Sequence, residues 1–168
     1  MRIAQILGSL FSSDTWAWPA DWGWGLALIV GAVLIHVVGL GFIRRVALRV
    51  WRSAAPHWRH TALFVTVMGL TTLLVASLHG IEAAMWAVAY RFLGALPDNR
   101  SAMLYSLNAM TSFGHVNFYL EDRWYLMGAI EALNGWLLFG LSTAFLFEVI
   151  QKVLFALDDK ARRNRAWS

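Results

Sequence analysis

Apolar residues run almost unbroken through three stretches of the chain, and the polar residues collect between them. The first stretch, "WGLALIVGAVLIHVVGLGFI" over about 24–43, matches the roughly 20 residues that carry an α-helix across bilayer hydrocarbon. Arg44 and Arg45 stop it. The second, about 61–96, is longer than a perpendicular crossing needs, which predicts a projecting end or a bend near Gly80. The third, about 124–157, runs from "WYLMGAIEALNG" to "KVLFAL" and stops at "DDKARRNR".

The polar segments orient these runs. The connector "RRVALRVWRSAAPHWRH" carries Arg44, Arg45, Arg49, Arg52 and Arg59 with no acid, and Pro56 breaks any helix passing through it. Basic segments stay on the cytoplasmic side. Lys160, Arg162, Arg163 and Arg165 mark the tail in the same way. Three spans with both basic segments inside place the N-terminus outside and the C-terminus in the cytoplasm of a multi-pass protein of the cell inner (plasma) membrane. Residues 3–11 read as a short interfacial helix, with Trp16, Trp18, Trp22 and Trp24 at headgroup level.

Between the second and third runs lies "PDNRSAMLYSLNAMTSFGHVNFYLED". Its residues 101–112 are apolar enough to enter a bilayer and too short to cross it. That length predicts a re-entrant half-helix capped by Asp98, Asn99 or Ser101. The following "SFGHVN" is irregular backbone, which survives at membrane depth only inside protein or beside a water-filled path.

Composition removes several classes. With 59% hydrophobic and 14% charged residues, the chain falls far below the roughly 25% charge of a soluble domain and reads as integral to a membrane. The absence of cysteine excludes disulfides and thiolate metal sites. The soluble segments are too short to hold a catalytic domain, so an enzyme is not expected, nor is a nucleic-acid partner or a cofactor.

In the stretch 102–117, "AMLYSLNAMTSFGHVN" resembles the pore helix and selectivity filter of tetrameric potassium channels, whose consensus ends T-T-V/L-G-Y-G-D. Thr111 and Ser112 stand where that family has two threonines, Phe113 at its aliphatic position and Gly114 at its first glycine. His115 replaces the tyrosine, Val116 the second glycine and Asn117 the aspartate. The segment "GWLLFGLSTA" resembles the family's inner helix, with Gly135 at its bending glycine, and the first span is similar to the extra leading helix of some bacterial members. The resemblance covers about 61–157. It implies an all-α fold of three transmembrane helices plus a re-entrant pore helix, assembled as a homotetramer around a path for a monovalent cation, K+ or Na+. The domains then run 1–23 (interfacial), 24–60 (extra helix and connector), 61–157 (pore) and 158–168 (basic tail against anionic lipid).

The resemblance gives each candidate a role. Thr111, Ser112 and Gly114 offer oxygens to a hard cation; the alternative is a turn in which both hydroxyls satisfy the end of the half-helix. Val116, β-branched, resists the positive φ that the missing glycine would take, so strict potassium selectivity is not expected. His115 repeated fourfold would form a ring that charges in mild acid or binds a divalent transition metal; the alternative is a histidine packed behind the filter and hydrogen-bonded to a neighbour. Glu121 and Asp122 would ring the outer mouth. Phe139, Thr143, Phe147 and Gln151 follow at i+4 on one face, assigned to the inner pore with Phe147 as its constriction.

Glu131 and Asn134 in the third run, and His79 with Glu82 in the second, are ionisable or polar at membrane depth. Glu131 is expected to be protonated or bonded to Asn134, His79 or a neighbouring subunit. His79 and Glu82, one turn apart, form a two-ligand set too small to define a metal site. His36 invites a haem reading that its depth, mismatched with His79 and His115, argues against. Two function classes stay open: a homotetrameric cation channel, and a non-conducting channel-derived scaffold, sensor or regulatory subunit.

Overall fold

The computed structural model describes residues 17–53, 60–114 and 119–165. Among them every regular element is helical: α1 (Ala17–Ser53), α2 (His60–Phe92), α3 (Asn99–Met110), a 3-10 turn (Asp122–Trp124) and α4 (Tyr125–Arg165). Three helices are long and apolar enough to cross a membrane, over Pro19–Trp51, Ala62–Phe92 and Asp122–Val153. The expected interfacial helix at 3–11, Trp16 and Pro56 lie outside the described residues.

The helices outrun the apolar stretches that announced them. α1 begins with Pro19 in its first turn, where a missing N–H costs nothing, and continues past Arg44 and Arg45 to Ser53. Arginine is a good helix former, so the positive charges end the lipid-compatible part and leave the helix intact. α2 is a single helix through Gly80. It ends at Gly94, whose φ of +67° is open to glycine. There the Gly94 N–H donates to the Arg91 carbonyl at 3.2 Å and the Ala95 N–H to the Tyr90 carbonyl at 2.9 Å, a Schellman closure.

α3 starts two residues before the expected half-helix, and Asp98 is its cap. The Asp98 carboxylate accepts from the Ser101 N–H at 2.9 Å and from the Ser101 hydroxyl at 2.7 Å. Those bonds hold its carboxyl below the ordinary aspartate value.

The helices divide between two compact units. The first comprises the described residues up to Leu34 together with Glu82–Leu137, so it holds α3 and the loop after it. Trp86, Tyr90, Met110, Met127 and Ile130 fill its interior, and Ile130 occupies the space a side chain at Gly25 would need. The second unit comprises Ile35–Ile81 and the residues from Leu138 on. Its core is Leu40 and Ile43 of α1, Val75 and Leu78 of α2, and Phe145, Val149 and Val153 of α4. Gly39 lets Leu78 approach to a distance that a Cβ would close to 2.7 Å. The Glu148 carboxylate accepts from Arg44 at 3.2 Å and from Lys152 in the same unit; these part-exposed pairs contribute little to stability.

Candidate functional site

The first unit seats α3 on α4 through two glycines. Built at Gly128, a Cβ would lie 2.1 Å from the Tyr105 hydroxyl oxygen; built at Gly135, it would lie 2.0 Å from the Met110 carbonyl oxygen. The two positions are seven residues apart and so share a helix face. Gly135 therefore admits the last carbonyls of α3 to the surface of α4, and α4 is an unbroken helix there. Residues Ser101, Ala102, Tyr105, Ser106, Ala109 and Met110 form the buried side of α3, a stripe at helical spacing that small residues keep thin.

A hydrogen-bonded cluster pins the middle of that seat. The Ser106 hydroxyl lies 2.7 Å from the Ala83 carbonyl and also contacts the Glu131 carboxyl group. Tyr90 donates to the other Glu131 oxygen at 2.6 Å. Ser106 has one proton and the Ala83 carbonyl can only accept, so all three contacts close when Glu131 carries a proton and donates it to the Ser106 oxygen. Glu131, Ser106 and Tyr90 are fully buried, where an unmade bond is costly. The partners are thus Ser106 and Tyr90, in place of the Asn134 pairing considered from sequence. Asn134 is also fully buried, and its amide has no bond partner among the described residues.

α3 ends by a second Schellman closure. The Ser112 N–H donates to the Ala109 carbonyl at 2.9 Å and the Phe113 N–H to the Asn108 carbonyl at 3.0 Å. The residue at the left-handed position is Ser112, with φ +54°, and Gly114 follows with φ +93°. Thr111 donates its hydroxyl back to the Leu107 carbonyl at 2.7 Å, and the Ser112 hydroxyl accepts from the Trp136 indole at 3.0 Å. Phe113 and Gly114 are exposed. His115, Val116 and Asn117, the rest of the filter-like segment, lie outside the described residues. Beside this end of α3 is a cavity of about 460 Å³ bordered by Tyr105, Asn108, Ser112, Gly114, Tyr119 and Tyr125.

The remaining sequence-derived residues are placed as follows. Glu121 and Asp122 are exposed, and Arg123 pairs with Glu121 at 3.1 Å, so one of the two charges of the expected acidic mouth has a local counter-charge. In the second unit, Phe139, Thr143, Phe147 and Gln151 are all exposed on one face of α4, and Thr143 donates to the Phe139 carbonyl at 2.8 Å.

The second unit also brings together two histidines that the sequence separates. The rings of His36 and His79 are 5.1 Å apart, and the Ser142 hydroxyl lies 3.2 Å from Nε2 of the first and 3.0 Å from Nε2 of the second. The depth mismatch expected from sequence is therefore corrected. α1 continues past Arg45 to Ser53 and α2 begins at His60, so the two histidines stand at similar distances from the connector. The shared hydroxyl and ring spacing leave no slot for a porphyrin between the imidazoles. Ser106, Tyr90 and Ser142 were not singled out by sequence; a serine at mid-span of an otherwise apolar helix was the available signal.

No family model, curated protein or solved structure matches this chain.

Proposed function

We propose that the chain is the subunit of a homotetrameric cation channel, each copy giving one quarter of a pore. The observation that supports this best is how α3 ends. A twelve-residue helix is capped by Asp98, keyed into glycine notches on a span-length helix, and closed at Ser112 immediately before the filter-like segment. Read as re-entrant, four such helices direct their negative C-terminal ends at a common axis and steady a cation there. The carbonyls and hydroxyls from Thr111 onward line the narrow path, with His115, Val116 and Asn117 at its outer part. The exposed Phe139–Thr143–Phe147–Gln151 face lines the inner cavity. With valine for the second glycine, the pore passes K+ and Na+ with weak discrimination.

One observation favours the second reading, a non-conducting membrane scaffold: the Thr111 and Ser112 hydroxyls are both engaged within the chain. Purified protein in liposomes separates the two. Flux of K+ and Na+ by the native chain, with four copies per particle, is the expected result. Flux only in the Val116→Gly/His115→Tyr variant identifies a closed, channel-derived scaffold. A monomeric particle silent in both forms overturns the channel reading.

A further inference from the structure

We infer that His36 and His79 form a binding site for one divalent transition-metal ion such as Zn2+, with the Ser142 hydroxyl on its third side. The three residues come from three different helices and belong to one compact unit. His36 is fully buried and Ser142 nearly so, in the middle of lipid-compatible helices, where polar side chains are costly and usually serve a function. Both imidazoles turn Nε2 to the same oxygen, at 3.2 and 3.0 Å.

The spacing suits a metal. Two Zn–N bonds of about 2.0–2.1 Å at a tetrahedral angle set their nitrogens about 3.4 Å apart, and ligand nitrogens of His36 and His79 already lie within 4.8 Å of one another. A small closure of two side chains brings both onto one ion. In the metal-free pair the single Ser142 proton can serve only one imidazole, so the two rings need opposite tautomers. A metal lets both present the same Nε2 lone pair and keep their protons on Nδ1. Phe139 packs against the second imidazole, with its ring 4.6 Å from that of His79. Imidazole donors favour Zn2+, Cu2+ or Ni2+ over Mg2+ and Ca2+. The site is independent of the proposed filter and holds whether or not the chain conducts.

The full-length chain, purified in detergent and stripped with chelator, is titrated with Co2+. One Co2+ per chain is expected, with the visible absorption of a four-coordinate ion, displaced by Zn2+. His36→Gln and His79→Gln should each weaken binding about tenfold or more, while a His57→Gln/His60→Gln control leaves it unchanged. Absence of binding in the native chain, or binding that survives both core substitutions, overturns the assignment. Should the substituted chains fail to fold, X-ray absorption of the Zn2+-loaded native protein decides: scattering from two imidazoles supports the site, and from one or none sinks it.

Discussion

Ser106 and Ser142 are both buried serines in helices, and each hydroxyl touches two partners from other parts of the chain. Their neighbours make them behave differently. Ser106 faces a backbone carbonyl, which only accepts, so the direction of its proton is fixed and the Glu131–Tyr90 arrangement is fixed with it. Ser142 faces two imidazoles, either of which can donate or accept, so its proton has two equivalent settings. The first cluster is a fastener for α3, and the second is an exchangeable pair. Burial alone does not distinguish them; the partners' donor and acceptor capacity does.

The largest test of this contrast removes the fastener's seat. Gly135→Val pushes a side chain into the Met110 carbonyl and should cost about 3 kcal/mol or more. Hydrogen exchange should then rise along α3, with the amides around His36 and His79 little changed. Next, Glu131→Ala leaves Tyr90 and Ser106 with unmade bonds and should destabilise by about 3 kcal/mol. Glu131→Gln keeps one acceptor and one donor, as a protonated acid has, and should cost under about 1 kcal/mol. A large loss for the glutamine variant in thermal unfolding would mean that the cluster holds a charge.

Smaller effects follow. Ser142→Ala removes a hydroxyl from between two side chains that can readjust, with a loss of about 1 kcal/mol in the same unfolding assay. Gly94→Ala forces a Cβ into the left-handed region at the end of α2 and should cost about 1 kcal/mol. The smallest effect lies at the cap. The Asp98 carboxyl is held below its ordinary value of 3.8 by the Ser101 bonds, so its contribution is complete above that value and is lost as pH falls through the lowered one. Asp98→Asn should remove this acid dependence from α3 helicity followed by hydrogen exchange.

The three long helices and the short α3 were legible because apolar length and a capping aspartate are local signals. Helix ends were not: Arg44 and Arg45 mark where lipid stops and say little about where hydrogen bonding stops. The glycines at 128 and 135 carry a readable spacing, yet only the fold reveals that Met110 occupies the second notch. The pairing of His36 with His79 was hidden because depth was judged from the apolar run that stops at Arg44, and α1 continues past it to Ser53. Ser112 at a left-handed φ follows no propensity; it is held by the two closing amide bonds and the Trp136 indole.

The notch at Gly135 carries an evolutionary consequence. Every single-base change in a glycine codon that alters the residue introduces a β-carbon or ends translation, and no β-carbon fits against Met110. Lineages that retain this seat are therefore barred from drift at one position. Invariance there would record a packing constraint and nothing about function.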